Sequence, residues 1–364
     1  MDPHESFVQL LAPDGSRRTD PSYRSDLDPA GLLDLYRDMV LVRELDAQAT
    51  ALQRQGELAL WAPLLGQEAA QVGSGRALRE QDFAFSSYRE HGVAWCRGID
   101  PVDMLRFWRG TAHQAWDAGR YRMYGYQVII GAHALHATGY AMGARYAGRV
   151  GTGEPGRDQA VVAYFGDGAM SQGDVNEAFV FAAAYQAPVV FFCQNNHWAI
   201  SEPLERQSRV PLVCRADGFG IPGVRVDGND VLACHAVTTA ALDRARSGGG
   251  PTLVEAVTYR MGAHTTSDDP TRYRDAAQVD LWRTRDPIDR VRIHLREQGV
   301  LDEAGQARID DQKEELVARM RQGCHDLPDP RPGSMFDHLY QRPDARLVGQ
   351  RRELDAIIAA TEVG

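Results

Sequence analysis

Apolar residues follow two different rhythms along this chain. Residues 32–56, LLDLYRDMVLVRELDAQATALQRQG, place them at helical spacing behind Asp28-Pro29, a cap and first helical position, and stop at Gly56. That predicts one long amphipathic helix. Between about 133 and 275 continuous apolar runs (Ala160–Phe165, Val189–Cys193, Val224–Val226, Thr252–Val257) alternate with helical patterns over Leu135–Tyr146, Gly173–Tyr185 and Val231–Ala245. Strands without polar alternation are buried on both faces, and strands separated by helices pair in parallel. The expected fold class is therefore α/β: a doubly wound, mostly parallel sheet flanked by helices.

The ends read differently. Residues 1–28 are polar and turn-rich, with Pro3, Pro13 and Pro21, and are expected to form an extended N-terminal arm rather than a core element. Residues 29–285 hold the α/β domain. From 286 to 364 the chain is charged and helical behind Asp286-Pro287, is broken by Pro328, Pro330 and Pro332, and ends in a short helical tail, a C-terminal extension with no visible chemistry.

Composition narrows the class. With 43% hydrophobic and 25% charged residues, the 364-residue chain is globular, not disordered. A net charge of -10 argues against nucleic-acid or anionic-membrane partners, which require clustered Lys and Arg. The five cysteines are scattered and never spaced as CxxC, so neither a disulfide framework nor a zinc knuckle is indicated. The N-terminus has early acidic residues and no apolar segment typical of a secretion signal, and no run approaches the roughly 18 apolar residues of a membrane span. A cytoplasmic location is expected.

Asp167 carries the first chemical signal. It stands between Gly166 and Gly168 at the end of the first apolar strand, where an open parallel sheet binds ligands and the next helix turns its N-terminus toward phosphates. One βα unit later PVVFFC runs into Gln194-Asn195-Asn196. Consecutive units place strands side by side, so Asp167 and Asn196 should converge. A carboxylate and an amide oxygen beside phosphate form an oxygen-only site suited to Mg2+. The alternative is an Asp that caps the helix at 173 and an Asn pair that makes a turn.

GDG followed after about thirty residues by NN resembles the thiamine diphosphate signature. With LLGQEAAQVGSG, SYREHG, GDGAMSQGDVNEAF, QNNHWAIS, VRVDGND and YRMGAHTTSDDPTRYR, the chain resembles the α subunit of the two-subunit decarboxylating first component of 2-oxo acid dehydrogenases, from about residue 30 to 345. The resemblance implies a thiamine diphosphate-binding fold and Mg2+ held by Asp167, the Asn196 side chain and the Trp198 carbonyl. It implies diphosphate contacts from Tyr88 and Arg89, and cofactor contacts from Gly166, Gly168 and Ala169. Ile130 would support the bent cofactor and Ile200 would be a further apolar contact. His264 would be the active-site histidine that orients substrate and passes a proton during reductive acylation. His91 follows the diphosphate residues and is read as reaching the site or packing behind it. His133 and His136 lie three apart without acidic or Cys neighbours, which disfavours a metal; His133 stands where relatives often carry Gln, so a polar contact is expected there.

The implied reaction is oxidative decarboxylation of a small 2-oxo acid and acyl transfer to the lipoyl arm of an acyltransferase component, within an α2β2 heterotetramer. The β subunit would supply the glutamate that activates the cofactor, so this chain alone should be inactive. FFCQNN, WAIS and VDGND favour branched-chain 2-oxo acids; QVIIGAH and SDDPTRYR also fit pyruvate-type relatives, and an acetoin-cleaving relative shares the motif. A non-catalytic scaffold would have lost Asp167, Asn196, Arg89 or His264, and a single-chain transketolase type would need a second α/β half. Thr265 replaces the serine phosphorylated in mammalian relatives, which counts against a dedicated kinase, and loop 265–274 is expected to order with cofactor.

Overall fold

A computed structural model describes residues 7–362 apart from 113, 330, 338 and 343; Pro3 and Pro330 lie outside the described residues. Five parallel strands form the sheet: β1 (Phe83–Phe85), β2 (Val161–Gly166), β3 (Val189–Asn195), β6 (Gly223–Asp227) and β7 (Thr252–Val257), in the order β1-β2-β3-β7-β6. A separate two-residue hairpin, β4 (Trp198–Ala199) with β5 (Glu202–Pro203), follows β3. Strand β1 had no sequence signal, because three residues are too few to show a period.

The main helices are α1 (Pro29–Arg54), α2 (Glu68–Ala77), α3 (Ala132–Tyr146), α4 (Gly173–Tyr185), α5 (Val231–Arg246), α6 (Pro287–Glu297), α7 (Glu303–His325) and α8 (Ala345–Glu362). Asp28 caps α1, accepting a hydrogen bond from the Gly31 amide, with Pro29 in the first turn; Gly56 beyond its end has φ of 84°.

Both faces of the sheet are covered, as the unalternating strands required. Val162, Tyr164, Val190 and Phe192 pack into one core with α1, α2 and α5; Val161, Ala163, Phe165, Val189 and Phe191 pack into a second core with α3 and α4. Each fully buried Val or Phe among them contributes about 1.5–3 kcal/mol. Val291 and Leu295 of α6 and Leu316 and Met320 of α7 belong to the first core.

The N-terminal arm is part of that core as well, which its turn-rich composition does not signal. Leu10, Leu11 and Ala12 are fully buried. Val8 pairs in parallel with Val226 through hydrogen bonds to the Arg225 carbonyl and from the Asp227 amide, covering part of the open edge of β6. One Asp230 oxygen accepts the amides of Leu10 and Leu11, both at 2.6 Å, and the other caps α5.

Candidate active site

Register alone brings the two motifs together. Gly166 at the end of β2 lies opposite Gln194 of β3, so Asp167 and Asn196 leave neighbouring strands at the same edge. The Asn196 amide donates to Asp167 Oδ1 at 3.3 Å, and Gln207 Nε2 donates to Oδ2 at 3.0 Å. The helix cap alternative for Asp167 fails: the cap position of α4 is Gln172, and Asp167 opens a separate 3-10 turn over Asp167–Ser171. Gly168 has no room for a side chain, since a Cβ there would stand 2.7 Å from Ala199 Cβ.

Asp167 is 1% exposed, and among the described residues no Arg, Lys or His forms an ion pair with it. Burial pushes its carboxyl up to about 6, against the stabilising hydrogen bonds from Gln207 and Asn196. Asn196 Oδ1 accepts the Trp198 amide at 3.2 Å, and its Nδ2 donates to buried Gln67. The Trp198 carbonyl accepts Arg260 Nη1 at 3.3 Å and keeps a second lone pair. One carboxylate, one amide oxygen and one carbonyl make an oxygen donor set that fits a hard cation with open positions for phosphate and water. Among the described residues no cluster of three or more His, Cys, Asp or Glu could hold a metal, so a site of the His- and Cys-rich kind is absent there.

These groups line a cavity of about 530 Å³. Tyr88, Arg89, Ile130, Gly166, Asp167, Gly168, Ala169, Asn196, Trp198, Ile200 and His264 all border it. Ile130 and Ile200 present exposed apolar surface, and Ile200 adopts a left-handed backbone (φ 56°), as does His197 (φ 70°). A β-branched residue in that region is strained, a cost that concentrates at functional sites.

His264 is held from three directions. Arg89 Nη2 donates to its carbonyl at 2.8 Å, and its own amide donates to Asp268 Oδ2 at 2.8 Å. Arg89 Nη2 and Arg260 Nη1 both lie 3.2 Å from its Nδ1. A guanidinium can only donate, so this network assigns Nδ1 as acceptor and places the ring proton on Nε2. Burial first, then the charges of Arg89 and Arg260, pull the imidazole down to about 3, so the ring is neutral at neutral pH. Loop 265–274 is tied by protein contacts: Thr266 exchanges hydrogen bonds with the Trp61 backbone, and Arg274 reaches the carbonyls of Arg260, Met261 and Gly262.

The other histidines separate clearly. His91 is buried, stacked on Trp61 with ring centroids 4.0 Å apart, and bonded to Tyr126 Oη and the Ala62 carbonyl, so it packs behind the cavity. His133 borders the cavity but turns Nε2 to the Tyr164 carbonyl at 2.6 Å, while His136 is exposed; they do not form a pair.

Four contributors escaped the sequence reading: Gln67, Arg260, Gln207 and the buried relay in which Gln194 donates to Glu90 and accepts from Gln71. Burial holds the Glu90 carboxyl above its ordinary value. Arg260 had the only available signal, a cation inside an otherwise apolar YRMGAH segment.

The profile of the family described as dehydrogenase E1 component matches residues 36–332. The 3-methyl-2-oxobutanoate dehydrogenase subunit alpha of Mycobacterium tuberculosis is 46% identical over 356 residues, 98% of this chain and 95% of that protein. The pyruvate dehydrogenase E1 component subunit alpha is 39% identical in Bacillus subtilis, over 80% of this chain and 77% of that protein. Its Staphylococcus aureus counterpart is 38% identical, over 86% and 81% respectively.

Proposed function

The chain belongs to the dehydrogenase E1 component family, and from that premise we propose that it is the α subunit of a thiamine diphosphate-dependent enzyme acting on branched-chain 2-oxo acids. The observation that carries the site assignment is Asp167, a buried carboxylate with no ion-pair partner among the described residues, set at the carboxyl ends of two parallel strands and bordering a cavity. Bound thiamine diphosphate supplies the nucleophilic carbon that decarboxylates a 2-oxo acid.

The chain's own residues bind and orient. Asp167, Asn196 Oδ1 and the Trp198 carbonyl would hold Mg2+, and Tyr88 and Arg89 would bind the diphosphate. Gly166, Gly168 and Ala169 would contact the cofactor through their backbone, and Ile130 and Ile200 would be its apolar contacts. His264 Nε2–H donates toward the substrate oxygens. Its neutral ring, held by Arg89 and Arg260, can donate that proton and take one back without leaving the pocket. A β subunit completes the site in an α2β2 assembly, and the acyl group passes to a lipoyl-bearing acyltransferase. Five cysteines without a disulfide support a cytoplasmic location.

The greater identity and coverage of the 3-methyl-2-oxobutanoate relative favour branched-chain substrates. Pyruvate is the second reading, favoured by the several pyruvate dehydrogenase relatives. Co-expression with a β subunit and decarboxylation assays decide between them. The assembled enzyme should give a higher kcat/KM on 3-methyl-2-oxobutanoate than on pyruvate, and the α chain alone should give no turnover. Turnover by the α chain alone would remove the subunit assignment; a pyruvate preference would replace the substrate.

A further inference from the structure

The cavity lining is mixed, with the polar groups of Asp167, Asn196 and His264 alongside apolar side chains. Leu60 and Trp108 belong to that lining together with His264. Backbone pairing fixes that neighbourhood. The Thr266 amide, two residues after His264, donates to the Trp61 carbonyl at 2.9 Å, and the Ala59 amide donates to the Trp108 carbonyl at 3.1 Å. The strip Ala59–Trp61 therefore ties the His264 loop to Trp108, with Leu60 between them.

Trp108 is also rigidly seated. It is 6% exposed, and its ring meets Trp61, Phe107 and Tyr126 at centroid distances of 5.6, 5.3 and 6.0 Å, with His91 at 6.1 Å. Among the described residues its indole N–H has no hydrogen-bond partner, and the aromatic ring gives the lining shape and apolar surface. A wall of that kind beside the histidine suits the hydrocarbon end of a 2-oxo acid and offers nothing to a carboxylate or phosphate.

We propose that Trp108 determines substrate size: its indole forms the end wall against which the alkyl chain of the 2-oxo acid packs, and so sets the longest chain accepted. This inference rests on the 2-oxo acid reading above. Trp108 is a specificity residue whose ring and backbone contacts are to Trp61, His91, Phe107, Tyr126 and Ala59, none of them a cation or diphosphate residue, and its replacement should leave cofactor binding unchanged. Because no hydrogen bond is lost with the indole N–H, substitution here removes volume and aromatic packing but no polar contact of the ring.

The test compares wild-type enzyme, W108F and W108A, each assembled with the β subunit. For each, kcat/KM is measured on 3-methyl-2-oxobutanoate, 4-methyl-2-oxopentanoate and 3-phenyl-2-oxopropanoate, alongside the calorimetric affinity for thiamine diphosphate with Mg2+. Progressive truncation should raise the ratio of kcat/KM for the larger acids over 3-methyl-2-oxobutanoate, by about tenfold for W108A, in the range that a few methylenes of pocket space confer. Cofactor affinity should stay within about twofold, a loss too small for a missing hydrogen bond. W108F keeps an aromatic ring and tests the same ratio if W108A does not fold. A parallel fall on all three acids, or a loss of cofactor affinity, would overturn the proposal and leave Trp108 as core packing. Wild-type enzyme that turns over none of the acids would instead bring down the functional reading on which the proposal stands.

Discussion

Asp82 and Asp167 are buried at opposite ends of the same sheet, and among the described residues Asp82 forms an ion pair and Asp167 does not. Asp82, ahead of β1, forms an ion pair with buried Arg246 and accepts the amides of Arg79 and Ala160 at 2.8 and 2.9 Å. Asp167, behind β2, is equally inaccessible but accepts only neutral N–H groups. A buried charge is tolerated when it is paired, and is a cost to the fold when it is not. The amino ends of the strands thus hold a satisfied structural pair. The carboxyl ends hold a carboxylate that, among the described residues, has no ion-pair partner.

The largest effect expected from that contrast is on stability. Asp82→Ala leaves buried Arg246 with only its ion pair to Asp243 and strips the Arg79 and Ala160 amides of their acceptor, and should lower unfolding free energy by about 3 kcal/mol in denaturant titrations, with cofactor affinity of the surviving folded protein unchanged. Asp167→Ala should do the reverse. Its melting temperature should equal or exceed that of the wild type without metal, while calorimetry should show Mg2+-dependent thiamine diphosphate binding weakened by roughly 100-fold or more. A stability loss at Asp167 as large as at Asp82 would erase the distinction between the two ends.

A third carboxylate sharpens it. Asp46 on α1 is buried and, among the described residues, has no ion pair, accepting Trp61 Nε1 at 2.7 Å and the Leu64 amide at 3.1 Å; it is not among the residues that border the cavity. Burial, against the hydrogen bond from Trp61, pushes its carboxyl up to about 7 from an ordinary 3.8. The folded protein therefore holds this proton more tightly than the unfolded chain. Its stabilising contribution is complete below about 4 and is lost as pH rises through about 7. Relative to Asp46→Asn, the wild type should lose stability over that interval in melting curves recorded from pH 4 to 8. A flat difference would mean that its two hydrogen bonds keep Asp46 ionised, and that an unpaired carboxylate can rest in this fold without a cation.

What could be read from the sequence was what is local. Each long strand advertised itself through apolar runs, and Asp167 and Asn196 lay at strand ends whose adjacency follows from parallel βα order. Gln67 reaches Asn196 from 129 residues away and Gln207 reaches Asp167 from 40, with no period or motif to mark either. Arg260 was hidden for another reason. Its four partners, the Trp198 and Ile200 carbonyls, Tyr273 Oη and His264 Nδ1, come from loops whose meeting is fixed only by tertiary packing. The buried Leu10–Ala12 segment was masked by the prolines and polar residues around it.

That segment also orders events in time. Leu10 and Leu11 are anchored to Asp230, 220 and 219 residues further along, and Val8 pairs with a strand that cannot exist until β6 has been made. A segment synthesised well before its anchor points is therefore among the last to find its place. It waits through the assembly of the sheet, since closing so long a loop is favourable only once both anchor points are rigid. Until then the edge of β6 stays open to other strands, which makes arm docking the step that ends the chain's exposure to misassembly.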